Sequence, residues 1–207
     1  MNATRRSIGW SVAVALAIPI LAGSARAQFE EPDTVGRFAI GPFVELFFWG
    51  DRGVTETGTE ISLTGGPAFG ARLEYRITRT FTLGATASYS KPDEEQELSG
   101  NVSIGESISQ LQFTGEAHLR VKPNIPGYFI LGGGVRLGDP SSGAVHDESY
   151  SEPLGILGAG LQFAARRHWA GRVEFRANFV SPADQPRLEM ESLETDFSIG
   201  LGVIWRP

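Results

Sequence analysis

From Gly36 onward, large apolar side chains recur at every second position in eight separate segments, and no run of apolar residues shows the three-and-four spacing of a helix. Successive side chains of a strand point to opposite faces, so each segment reads as a strand with one oily face. The last segment is the plainest: in FSIGLGVIWRP, Phe197, Ile199, Leu201, Val203 and Trp205 alternate with Ser198, Gly200, Gly202 and Ile204. After residue 27 no stretch of about 18 consecutive apolar residues occurs, so any membrane crossing must be made by strands.

The first segment, about 37 to 49, sets Phe38, Ile40, Val44, Leu46 and Phe48 against Arg37, Ala39, Gly41 and Glu45. The second, about 67 to 77, sets Phe69, Ala71, Leu73, Tyr75 and Ile77 against Gly70, Arg72, Glu74 and Arg76. The third, 81 to 89, carries Phe81, Leu83, Ala85, Ala87 and Tyr89, and the fourth, about 108 to 121, sets Leu111, Phe113, Ala117, Leu119 and Val121 against Glu116, His118 and Arg120. The fifth, 128 to 137, opposes Phe129, Leu131, Val135 and Leu137 to Gly132, Gly134 and Arg136. The sixth, about 154 to 163, opposes Leu157, Ala159, Leu161 and Phe163 to Gly158, Gly160 and Gln162. The seventh, 170 to 179, opposes Val173, Phe175, Ala177 and Phe179 to Arg172, Glu174, Arg176 and Asn178. Links at 50 to 66, 90 to 107, 138 to 153 and 180 to 192 are long, and those at 78 to 80, 122 to 127 and 164 to 169 are short. Strict alternation of long and short links around an even strand number predicts an antiparallel up-and-down barrel over 37–207, with both chain ends at the short-turn end.

The amino terminus has Arg5 and Arg6, an apolar stretch from Ile8 to Leu21, and Ala25-Arg26-Ala27 before Gln28. This is the layout of a cleavable signal peptide over 1–27, leaving 28–36 as a short segment before the barrel. Its removal takes three arginines and no acid, moving the formal charge from −6 to −9. A chain this acidic is a poor ligand for phosphate backbones, so nucleic acid is not an expected partner. Cysteine is absent, which excludes disulfides and thiolate metal centres.

The less oily stripe carries Glu45, Arg72, Glu74, Arg76, Glu116, Arg120, Arg136, Arg172, Glu174 and Arg176. An eight-stranded barrel is just wide enough for side chains to fill it, so inside one these charges would pair as a network. In a soluble barrel the same stripe would coat the exterior, and the apolar one would line a cavity. Aromatic residues gather at segment ends, with Tyr75, Phe81, Trp169 and Trp205 toward the short turns and Trp49 and Tyr89 toward the long links. That distribution suggests two interfacial girdles, because these rings are apolar with a polar handle. Seventeen of the 24 acids lie in or beside the long links, among them Asp93-Glu94-Glu95-Gln96-Glu97. Solvated loops or divalent-cation contacts at a lipopolysaccharide surface both account for such runs.

The signal, the alternating segments, the short-turn stretch RLEYRITRTFTLGA and the aromatic-ended last strand together resemble the small eight-stranded outer-membrane barrels of the outer-membrane protein A and outer-membrane protein X type, often described as porin-family barrel domains. The resemblance implies residence in the outer membrane of a Gram-negative-type envelope. It also implies contact with lipid, lipopolysaccharide, periplasmic chaperones and the barrel-assembly machinery, with Phe197, Ile199, Leu201, Val203 and Trp205 as assembly signal. The two residues after Trp205 depart from that pattern. It specifies no activity.

Catalytic chemistry is not expected. Of the three histidines, His118 sits on the charged stripe and His146 beside Asp147 and Glu148 in a long link, where Ser149 is the one imaginable nucleophile. Spacing alone is weak support for a site there. No metal or cofactor motif occurs. The expectation is a non-enzymatic barrel with a packed lumen and an envelope-structural or surface-interaction role. The alternatives are a narrow pore for small solutes or ions, and a soluble periplasmic ligand-binding barrel.

Overall fold

The computed structural model describes residues 36–48, 51–55, 60–98, 101–123, 125–140, 149–166, 168–181, 188–189 and 194–207. The signal-peptide reading of 1–27, nearly all of the 28–36 segment, Trp49 and the His146-Asp147-Glu148 group lie outside them. Among the described residues twelve strands are formed in chain order: β1 (Phe38–Phe48), β2 (Asp51–Thr55), β3 (Glu60–Leu63), β4 (Gly66–Arg76), β5 (Phe81–Ser90), β6 (Asp93–Leu98), β7 (Asn101–Leu119), β8 (Gly127–Pro140), β9 (Tyr150–Arg166), β10 (Trp169–Val180), β11 (Leu188–Glu189) and β12 (Glu194–Trp205). Eight of them close into an antiparallel barrel in the order β1-β4-β5-β7-β8-β9-β10-β12, with β12 pairing back onto β1. Closure satisfies the backbone of every wall strand and leaves no open edge, the condition for strands to cross hydrocarbon. No described residue is helical.

The remaining strands correct the sequence reading of the long links. Segment 50–66 contains β2 and β3, 90–107 contains β6 and the first turn-proximal part of β7, and 180–192 contains β11. These pair antiparallel in the order β11-β2-β3-β6-β7, so β7, at 19 residues, belongs both to the wall and to a sheet projecting beyond it. The short ends are tight: the Ile77 and Thr78 N–H groups both donate to the Phe81 carbonyl, at 3.0 and 3.1 Å, and Thr78 Oγ1 accepts from the Phe81 N–H at 3.0 Å.

The two faces are partitioned as in an inside-out globule. Outward positions are large and apolar, with Leu201 62%, Phe69 58% and Leu131 55% exposed, while inward Arg136 and Arg176 are 0% and 2% exposed. A belt of bare Leu, Ile, Val and Phe around the whole wall far exceeds the few hundred Å² that a water-soluble monomer leaves exposed. An 11-residue wall strand such as β1 rises about 33 Å along its axis and, tilted by roughly 40°, spans about 25 Å, the height of an outer-membrane apolar band. The apolar stripe therefore faces lipid, and the soluble barrel with an apolar cavity is overturned.

Wall curvature brings some strands unusually close. A Cβ added to Gly134 of β8 would stand 1.9 Å from the Phe113 carbonyl oxygen of β7 and 2.8 Å from the Thr114 Cα. Those are backbone atoms in the adjacent wall strand, so neither can yield without opening the β7–β8 ladder. Gly134→Ala is expected to cost on the order of 1–3 kcal/mol through overpacking. Urea unfolding of the vesicle-inserted protein checks this, and a midpoint equal to the parent's would contradict it.

Candidate functional site

The lumen holds the chemistry. Strand parity sends Glu45 of β1, Arg72 and Glu74 of β4, Thr86 of β5, Thr114, Glu116 and His118 of β7, Tyr128 of β8, Gln162 of β9, and Arg172, Glu174 and Arg176 of β10 into one buried layer. Seven of the eight wall strands thus contribute. The eighth, β12, contributes space: a Cβ on Gly200 would lie 3.1 Å from Glu45 Cγ.

Two glutamates act as hubs. Glu174 accepts from Arg72 Nη1 and Nη2 at 2.6 and 2.7 Å, from Arg176 Nη2 and Nε at 2.8 and 3.1 Å, and from the Tyr128 hydroxyl. Glu116 accepts from Arg176 Nη1 and Nη2 at 2.8 and 3.0 Å and from Thr114 Oγ1 at 2.9 Å. Arg176 Nε also approaches Glu45 Oε1 at 3.3 Å, so one guanidinium faces carboxylates from β1, β7 and β10. On the side nearer the short turns, Arg172 grips Glu74 with both Nη atoms, Nη2 at 2.7 Å, and donates from Nε to Gln162 at 3.1 Å. His118 joins the two halves, with Nε2 2.9 Å from Glu116 and Nδ1 3.3 Å from Glu74.

Aromatic rings pack the gaps. Arg72 stands over Phe43 at 5.2 Å, Arg172 over Tyr128 at 5.1 Å, and His118 lies 5.3 Å from the Tyr128 ring. Gly160 makes room for that tyrosine, since a Cβ there would meet its ring at 2.5 Å. A guanidinium is planar and presents a fixed fork, so bidentate pairs of this kind define direction as well as charge. The arrangement bridges non-adjacent wall strands, β4 with β10 and β7 with β10.

The ten charges expected on the inner stripe do not form one network. Seven meet in the central layer. Arg136 lies apart, donating from Nη2 to Asp196 at 2.7 Å, and Arg76 lies at the short-turn mouth. Arg120 is one residue beyond β7, half-buried in the turn, with its N–H on the Thr80 carbonyl at 2.8 Å. The wall strand stops there because the chain turns through Lys122-Pro123, and proline cannot donate to a ladder.

Sequence reasoning missed Tyr128, Thr86, Thr114 and Gln162 as network members. It also missed an apolar part of the lumen, Phe43, Phe47, Ile130, Ile156 and Val180, all buried. Parity was the available signal: Phe43 and Phe47 share it with Glu45, and Tyr128 and Ile130 share it with Arg136. Ser149, the imagined nucleophile, donates to Asp139 at 3.0 Å. Among the described residues no group of three or more His, Cys, Asp or Glu could hold a metal ion.

On the outer face, Trp205 stands directly opposite Trp169 and Phe38 opposite Tyr75, the latter rings 4.8 Å apart. Phe81 is half-buried nearby, at the start of β5. At the far end Tyr89 lies opposite Phe69, its hydroxyl 3.3 Å from Ser109 Oγ. Phe197, Ile199, Leu201, Val203 and Trp205 all point outward on the closing strand.

No protein-family model matches the sequence, and comparison with curated proteins finds no match. Solved structures do match. The outer membrane protein OprG of Pseudomonas aeruginosa is 12% identical, with 86% of this chain and 98% of that chain covered at a TM-score of 0.55. The outer membrane protein AlkL, determined in lipid bilayers, is 14% identical, with 87% and 94% covered at a TM-score of 0.56. Neisserial surface protein A is 12% identical, with 82% and 97% covered at a TM-score of 0.50. At these identities the likeness is one of fold.

Proposed function

We propose that this chain, which has the fold of the small eight-stranded outer-membrane barrels, is an integral outer-membrane protein of a Gram-negative-type envelope that acts as a closed, non-enzymatic scaffold. The observation that carries this reading is the buried layer to which seven wall strands contribute, with its Arg–Glu pairs drawn from β1, β4, β7 and β10. Arg72 pairs with Glu174, Arg172 with Glu74 and Arg176 with Glu116 across the lumen, which leaves little free charge to coordinate a passing ion. Lipid is the solvent for the wall, and the sheet β11-β2-β3-β6-β7 projects beyond the long-link end as the surface for external contacts, including lipopolysaccharide and its divalent cations. Export through a cleaved signal over 1–27 and assembly through the closing strand belong to the same reading.

In planar bilayers the parent protein is expected to give no unitary current under an applied voltage. A stable ohmic step at the single-channel level would establish the narrow pore instead. Fractionation of cells supplies the address: the protein belongs in the outer-membrane fraction, with folded and boiled forms migrating differently on gels. Recovery in the soluble periplasmic fraction would end the proposal.

A further inference from the structure

We propose that the lumen is closed twice: outside the central layer, the Arg136–Asp196 ion pair seals a short polar vestibule of which that layer is the floor. The inference rests on the closed reading above and adds an outer closure to it. Arg136 of β8 donates from Nη2 to Asp196 of β12 at 2.7 Å, and β9 and β10 stand between those two strands in the wall. The pair therefore crosses the lumen. Both partners are buried, and so is Glu152, which lies directly opposite Arg136 in the β8–β9 ladder.

Strand parity sets this pair apart from the layer. Asp196, Ser198 and Gly200 follow one another on the inner face of β12, and Gly200 abuts Glu45 of the layer. Asp196 thus stands about 13 Å of strand further toward the long links. Phe47, Gln110 and Asn178 are buried on that same side of the layer, and Gln110 Nε2 donates to the Tyr150 hydroxyl at 3.0 Å. Between the two closures the polar groups are unmatched. Ser198 sits opposite Arg176 in register and Asn178 opposite Asp196. The Ser198 hydroxyl and both polar atoms of the Asn178 amide are buried with no hydrogen-bond partner among the described residues. Buried amides and hydroxyls without a protein partner are ordinarily satisfied by water, so these groups mark a wet compartment and not a dry plug. A charge-assisted bond is short and directional, and losing it opens a path for water from the long-link end to Ser198.

The chain has no cysteine, so one introduced thiol is the sole target for a charged thiosulfonate reagent. Ser198→Cys reports from beneath the outer pair, and Thr82→Cys, half-buried at the short-turn mouth, reports from the opposite end. The test uses the full chain folded in maltoside micelles, and heat-modifiable migration certifies that each variant is folded. With the outer pair in place, Ser198→Cys is expected to react slowly. Adding Asp196→Asn, or separately Arg136→Gln, should raise its rate on the order of tenfold or more, because the reagent samples the locally opened population. Thr82→Cys should keep its rate. In planar bilayers the Asp196→Asn barrel should carry no current, because the central layer is intact.

Fast labelling of Ser198→Cys with the pair in place, an unchanged rate once the pair is removed, or equal acceleration at both thiols would overturn the outer closure. So would a current through Asp196→Asn alone, since the outer pair and not the layer would then be what closes the lumen. Failure of both single variants to fold would overturn it as well, because a pair the barrel cannot form without belongs to its frame and is not a seal. A current through the parent protein would instead sink the closed reading itself, so the two failures are distinguishable.

Discussion

Replacing Arg176 by methionine should lower the unfolding free energy by about 3–5 kcal/mol, the cost of removing one partner of a buried ion pair and stranding the other. Here three carboxylates lose a contact. Arg176 contacts Glu116 at 2.8 Å, Glu174 at 2.8 Å and Glu45 at 3.3 Å, and all three carboxylates are buried. Methionine preserves most of the volume, so the loss reports charge and hydrogen bonding and not a cavity. Glu174 keeps Arg72, but Glu45 and Glu116 lose their closest guanidinium. Adding Glu116→Gln to Arg176→Met removes one stranded charge, so the double variant should be destabilised by less than the sum of the single changes. Urea titration of the protein in lipid vesicles, followed by tryptophan fluorescence, measures both. An Arg176→Met barrel as stable as the parent would mean the layer is solvated and the lumen open to water.

The parity of the strands was legible in the sequence because lipid imposes it. Wherever a wall segment crosses hydrocarbon, one face must be apolar without interruption, and Phe197 to Trp205 or Phe69 to Tyr75 announce that face directly. The same requirement explains what was hidden. In β7 the apolar residues occupy even positions at Val102, Ile104 and Ile108 and odd positions from Leu111 onward, a phase reversal that broke the period-two signal although the strand is continuous. Once the chain leaves the membrane, nothing compels an apolar outer face. DRGVT, EISL and DEEQEL pair as strands through their backbones with no oily stripe to betray them.

The inward direction of the charges followed from parity, but their pairing did not. Arg72 and Glu174 are 102 residues apart in sequence, and Arg172 and Glu74 are 98 apart. Which acid meets which arginine depends on where the barrel closes and how far each strand is displaced along its neighbour. Both are set by the whole β12–β1 seam and not by any local stretch. Sequence could place these residues in the lumen, and only the closed wall could bring them into contact.

Leu201→Arg should cost about 2–4 kcal/mol if it sits near the bilayer midplane, and less the nearer it lies to an interface. Leu201 is 62% exposed on the closing strand, paired with Val44 on one side and Val173 on the other. All three point into lipid, so the guanidinium would have no carboxylate within reach and would have to snorkel along the wall or draw water inward. Its inward neighbour Gly200 abuts Glu45, and a side chain there would press on the charged layer instead. The two positions, adjacent in sequence, separate the two solvents of the barrel. Vesicle partitioning followed by urea unfolding reads the cost directly. If Leu201→Arg inserts with the parent's stability, the apolar belt is not lipid-facing at β12, and the inside-out partition of this wall is wrong.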